Sequence, residues 1–188
     1  IDGKPDEISW EKSIWSDNYV DIEGIKTPKY RTRMKILWND KFLYFLAELE
    51  EPHIWGNLTK RDAVIYHNND FEIFIDPDGD THNYMEFEMN ALNTVWDLLL
   101  TKPYRNGATV LNDWNINGLK TAVAIDGTLN NPSDIDKKWT VEIAMPWSAL
   151  VEQSKSKNIP KDKTWRINFS RVNWDLELKN DSYYRKKD

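Results

Sequence analysis

Apolar residues along this chain recur mainly at every second position, the period of a β-strand, and seldom at the helical period of about 3.6. Thr32 to Trp38 and Phe42 to Glu50 read as two strands joined by Asn39-Asp40-Lys41, a polar turn with Asx chemistry, so a hairpin is expected. Phe42 to Ala47 is apolar on both faces, which suits a central strand covered on each side. Phe71, Ile73 and Ile75 make one row of the next strand, with Glu72 pointing the other way. The following segment repeats the arrangement: Met85, Phe87 and Met89 face one side, and Glu86, Glu88 and Asn90 the other. Asp76-Pro77-Asp78-Gly79-Asp80 lies between them and is a turn by composition.

Further strands are expected at Val95 to Leu100, Leu119 to Ile125, Trp139 to Met145 and Arg166 to Val172, each bounded by Gly, Pro, Asn or Asp. Trp139, Val141, Ile143 and Met145 form an inward row, and Pro146 opens a short helical turn through Leu150. Strands at this spacing, with one or two short helical turns, predict an all-β fold: an antiparallel β-sandwich, immunoglobulin-like or jelly-roll-like. Gln153 to Lys163 reads as a solvated lysine-rich loop, and the polar tail from Lys179 as mobile.

Length and charge narrow the field. The chain has 188 residues, enough for one domain with a sizeable core, and no apolar stretch long enough to span a bilayer. Its net charge of −6, with no basic stripe to offset it, makes nucleic acid an improbable partner. There is no Cys, which removes disulfides, thiolate metal sites and Cys nucleophiles. The chain opens on Ile1 with no apolar leader before it, which reads as a start set either by processing or by where the segment was cut, and export is compatible with both. Ten Trp are present, broad apolar faces beside the amides of many Asn, and these two chemistries match the two sides of a pyranose ring. Filling a β core with Trp and turns with Asn explains the same composition.

The row Glu72, Glu86, Glu88 and Asn90 is the sharpest chemical feature. On adjacent strands these side chains share one sheet face, where carboxylates and an amide can receive sugar hydroxyls, with Tyr66, Trp96 and Trp174 able to stack on a ring. A solvated sheet face with its charges outward is the plain alternative. Glu72 with Glu86 or Glu88 also offers the paired carboxylates of a glycosidase. Asp76, Asp78 and Asp80 bring hard oxygen ligands into one turn and suit calcium, although Phe87 stands where an EF-hand loop needs Glu, and an ordinary Asp-Gly turn needs no ion. His53, His67 and His82 have no zinc-ligand spacing, and neither a phosphate loop nor a serine-hydrolase elbow occurs.

Four segments in order resemble the family 9 carbohydrate-binding modules. They are Ile1-Asp2-Gly3 with Trp10, the hairpin Leu37 to Tyr44, Asn69 to Asp76, and Trp139 to Trp147, and the likeness runs over about residues 1 to 175. The resemblance implies a β-sandwich of the superfamily shared with DOMON domains, forming a single domain over residues 1 to 188. It also implies no catalysis, no required cofactor beyond a structural calcium in some members, and a secreted, periplasmic or cell-surface place in xylan or other plant-glycan degradation. By the same resemblance Glu72, Tyr66 and Asn90 fall on sugar-binding positions, and the second aromatic falls near Trp174. Where the family has Arg two residues before that Asn, this sequence has Glu88, and the family's closing strand is unaccounted for at Asp188.

Three functions follow as expectations. The first is non-catalytic binding of an oligosaccharide or polysaccharide. The second is a xylanase-type glycoside hydrolase, and the third, through the DOMON kinship, is a haem domain with His82 and Met85 or Met89 as axial ligands.

Overall fold

The computed structural model describes residues 1–154 and 164–186. In chain order its strands are β1 (Thr32–Trp38), β2 (Phe42–Glu50), β3 (Asp70–Asp76), β4 (Tyr84–Asn90), β5 (Val95–Leu100), β6 (Val110–Leu111), β7 (Lys120–Asp126), β8 (Lys138–Pro146), β9 (Arg166–Ser170), β10 (Leu176–Lys179) and β11 (Ser182–Arg185). Two single-turn helices, α1 (Ile8–Glu11) and α2 (Trp147–Leu150), complete the regular elements with three 3-10 turns.

A four-stranded sheet, β1-β2-β8-β7, faces a five-stranded sheet, β6-β5-β4-β3-β9, and every pairing is antiparallel. The inward rows read from the sequence meet here. Phe45, Ala47 and Leu49 with Trp139, Val141, Ile143 and Met145 pack against Phe71, Ile73, Ile75, Met85, Phe87 and Met89, all of them buried. Full burial of side chains of this size is worth about 1.5–3 kcal/mol each, which fixes the register of both sheets. The antiparallel β-sandwich expected from the period is the fold.

Gly3 lies against the outside of the first sheet at φ +86°, and a Cβ there would stand 2.6 Å from the Val123 carbonyl carbon. Asp2 N–H and Gly3 N–H donate to Glu142 Oε2 at 2.8 and 3.2 Å, and the Trp10 indole donates to Oε1 of the same carboxylate at 3.1 Å. The Ile1-Asp2-Gly3, Trp10 and Glu142 signatures are therefore one structural clasp across the sheet.

The tail differs from expectation. From Leu176 it folds into the β10-β11 hairpin, closed by Asn180 and Asp181 at φ 51° and 55°, the backbone of a two-residue hairpin turn. Tyr183 anchors it, buried, with its hydroxyl 2.9 Å from His53 Nδ1. The lysine-rich segment expected from Gln153 lies, from residue 155 to 163, outside the described residues. His82 is exposed on the turn after β3, whereas Met85 and Met89 are both sealed in the core, so neither Met can join His82 as the second axial ligand of a haem.

Candidate functional site

The outer face of the five-stranded sheet carries the polar row. Register places Ser170, Glu72, Glu88 and Trp96 side by side across four strands, with Phe74 and Glu86 one pair further along and Asp70 opposite Asn90 at the other end. Neither a free row of ligands nor a solvated charged face describes it. Two loops fold over the face, and Ile65, Trp96, Leu98 and Leu100 form a second apolar cluster with Leu58, Ala63, Val64, Tyr84, Ala108 and Val110 packed on it.

That roof buries the acids. Glu88 is 1% exposed and Glu86 3%, while Glu72 keeps 9%. Glu88 accepts the Tyr66 N–H at 2.9 Å, Glu86 accepts the Tyr104 hydroxyl at 2.7 Å, and the Ser170 hydroxyl donates to Glu72. Burial, then the charges of Glu72 and Glu86, push Glu88 up to about 9. Burial also pushes Glu86 up to about 7 against the opposing Tyr104 bond. Glu72 is likewise raised by burial, with the Ser170 bond working against the shift.

Tyr66 sits on a 3-10 turn above this row and is 41% exposed, the open aromatic surface of the site. Its carbonyl accepts the Trp174 indole N–H at 2.7 Å, and the Trp174 backbone N–H donates to Asn69 Oδ1 at 2.8 Å. The structure thus brings Tyr66, Glu72, Glu88 and Trp174 together. The Arg185 guanidinium lies over the Trp174 ring, 4.8 Å from its centroid.

Three expected ligand residues have other roles, the first being Glu88, which is sealed under the roof as the acceptor of Tyr66 N–H. Asn90 is fully buried: its Nδ2 donates to the Leu58 carbonyl at 2.9 Å and Asn68 Oδ1 at 3.1 Å, and its Oδ1 accepts Leu92 N–H and Thr94 N–H at 3.1 and 3.0 Å. It clamps the loop leading to Tyr66, because four hydrogen bonds leave the amide nothing to offer a ligand. Trp96, 8% exposed, donates its indole N–H to Asn112 and backs the Tyr66 ring at 6.4 Å between centroids, so it is support and not platform.

The residues that sequence reasoning passed over lie on the segment after β9. Arg171 donates to Glu51 Oε2 at 2.7 Å, and Asn69 and Asn173 donate to the same oxygen at 2.9 and 2.8 Å. Val172 N–H donates to Asp70 Oδ1 at 3.0 Å. This network seats Trp174. Its only sequence signal is the Arg-Val-Asn-Trp run, whose first two residues are expected within the strand that ends instead at Ser170, with nothing to show that β9 lies beside β3.

Asp76, Asp78 and Asp80 do gather, with one oxygen of each within 4.8 Å of the others. Asp76 already accepts Gly79 N–H and Thr81 N–H, both at 2.9 Å, so the turn closes through its own backbone. At the Asp76 end of the same face a cleft of about 610 Å³ is lined by Phe74, Tyr84, Trp165 and Asn168 among others.

The family described as "Carbohydrate family 9 binding domain-like" matches residues 1–168. The chain belongs to that family. Endo-1,4-beta-xylanase C of Paenibacillus barcinonensis is 33% identical over 87 residues, 46% of this chain and 7% of the enzyme, so the chain spans a small part of that protein's length. A family 9 carbohydrate-binding module from Caldicellulosiruptor kristjanssonii, solved with cellotriose, superposes with a TM-score of 0.56 and 18% identity, over 97% of this chain and 75% of that one. The same module solved with glucose gives a TM-score of 0.56 and 18% identity, over 98% and 76%. At that identity the likeness carries the sandwich fold of this family 9 domain.

Proposed function

We propose that this family 9 domain binds carbohydrate without catalysing a reaction on it. The observation that carries the reading is the half-exposed Tyr66 ring, pinned beside Trp174 and over the buried Glu88, an open aromatic face on which the apolar side of a sugar ring can stack. Family membership supports it. The burial of Glu86 and Glu88 argues against a glycosidase, since a scissile bond needs two carboxylates open to it.

The ligand class in this reading is a plant-type glycan such as xylan or a related oligosaccharide, encountered outside the cytoplasm within a polysaccharide-degrading system. The xylanase relative supports that setting. The two packed antiparallel sheets support a place in the superfamily shared with DOMON domains. Calcium would be held by Asp76, Asp78 and Asp80, and a fall in melting temperature on chelation tests it.

Calorimetry with xylan- and cellulose-derived oligosaccharides at millimolar concentration tests the main reading. Binding without release of reducing sugar is the expected result. A folded protein that binds none of them overturns it, and sustained reducing-sugar release would assign a glycosidase instead.

A further inference from the structure

The loop that carries Tyr66 has a second use. It sends Leu58, Ala63 and Val64 into the cluster beneath Tyr66, and Thr59 and Arg61 into a separate cleft of about 640 Å³. Asn93 from the β4-β5 turn, Asn115 and Asn117 from the loop before β7, and Thr121 of β7 supply the other walls.

One core position has been given over to building this cleft. Asp97 shares the inward row of β5 with Val95 and Leu99 and is fully buried where an apolar side chain would pack. Its Oδ2 accepts Ile116 N–H at 2.6 Å, which fixes the 113–117 loop, and its Oδ1 accepts the Arg61 guanidinium. Arg61 is further held by Asn115 Oδ1, at 3.1 Å to Nη2 and 3.3 Å to Nε, yet its side chain remains 46% exposed. The desolvation cost of burying Asp97 is offset by its bonds to Arg61 and Ile116 N–H, and the same bonds hold a half-exposed guanidinium in one orientation at the wall of the cleft.

The lining chemistry selects the ligand. The Arg61 charge is met by Asp97 and, at 3.7 Å, by Asp62, so the cleft offers an anion no unpaired cation. The remaining polar groups are neutral amides and hydroxyls, which pair with a neutral polyhydroxylated molecule. Among the described residues no aromatic side chain lines the cleft, so binding there rests on hydrogen bonds and bridging water instead of stacking.

We propose that this cleft is a second saccharide subsite, taking a further neutral sugar unit on Thr59, Arg61, Asn93, Asn115, Asn117 and Thr121. The assignment rests on the carbohydrate-binding reading above and is weaker in affinity than the aromatic site.

Titration of the ¹⁵N-labelled domain with cellotriose and, separately, xylotriose tests it. Saturable shifts of the Asn115 and Asn117 side-chain amides and of the 59–61 backbone, alongside those near Tyr66, are expected. In a Thr59→Val, Asn117→Ala variant, altered only at exposed positions, affinity at the cleft falls at least about tenfold while the Tyr66 shifts persist. Shifts confined to the surroundings of Tyr66 overturn the second subsite and leave carbohydrate binding standing. Cleft shifts that survive unchanged in the variant also overturn it, as do larger cleft shifts with inorganic phosphate than with either trisaccharide. No shift anywhere in the folded protein overturns both readings.

Discussion

The backbone N–H of Tyr66 donates to the carboxyl group of Glu88 at 2.9 Å, so the exposed ring of the site is held in place from below by an acid that is itself 1% exposed. Glu88 serves as an acceptor that positions the aromatic residue.

A pH dependence follows from that burial. Glu88 faces Glu72 and Glu86, with the Tyr104 hydroxyl on Glu86 and Asp70 further along the face, and none of these acids is ion-paired among the described residues. The pair titrates together, with Glu86 raised to about 7 and Glu88 to about 9 from an ordinary 4.5. The folded state therefore holds more protons than the unfolded chain between those limits. Its contribution to stability is complete below pH 4.5 and is lost as pH rises through 7 and 9. Melting temperature should fall across that window, and Glu88→Gln, which keeps an acceptor for Tyr66, should flatten the fall and melt higher than wild type at pH 9. Thermal melts at three pH values measure it; parallel slopes would refute the account.

Asn90 gives a prediction that separates a scaffold from a ligand. Asn90→Ala removes four hydrogen bonds and leaves the Leu58 carbonyl and two N–H groups to find other partners. The expected loss is about 2–4 kcal/mol of stability by urea denaturation. Saccharide binding should weaken only through displacement of the Tyr66 loop. A variant of unchanged stability with abolished binding would return Asn90 to the ligand set.

Which parts of this were legible in the sequence follows from what each residue depends on. β1, β2 and β5 fall on the predicted residues because each is a short apolar run closed by turn residues, and in β2 and β5 both faces are covered, so the run itself marks the strand. The outward direction of Glu72, Glu88 and Asn90 was legible because they alternate with the apolar rows of β3 and β4. What covers them was not, since Ile65 and Tyr104 arrive from loops whose return over the sheet leaves no period behind. β10 and β11 escaped notice because each is only four residues long, too short for a period to stand out, although Asn180-Asp181 carried a turn signal.

Tyr66 and Trp174 should contribute unequally to binding. Tyr66→Ala removes the open ring and should weaken sugar binding by about 1–3 kcal/mol, whereas Tyr66→Phe keeps the stacking surface and the backbone bonds to Glu88 and Trp174 and should stay close to wild type. Trp174→Phe loses the indole bond to Tyr66 and should show an intermediate loss. Calorimetry on the three variants checks the order, and equal losses in Tyr66→Phe and Tyr66→Ala would shift the role from ring to hydroxyl.

The clasp on the opposite sheet turns on a single glycine. Gly3 combines a φ of +86° with backbone atoms of Val123 and Ala124 at 2.6 and 2.7 Å from any Cβ, and its carbonyl accepts the Thr140 hydroxyl at 2.5 Å. Neither neighbour is a side chain that can swing away, so Gly3→Ala must lift the first three residues off the sheet. That strands the Glu142 carboxylate, which loses the Asp2 and Gly3 N–H donors and keeps only the Trp10 indole. Left-handed strain and the lost bonds together should cost at least about 2 kcal/mol, read as a lower urea midpoint at unchanged slope. Because the clasp lies across the core from Tyr66, sugar affinity of the folded variant should match wild type; a parallel loss of affinity would show that the two sheets are coupled.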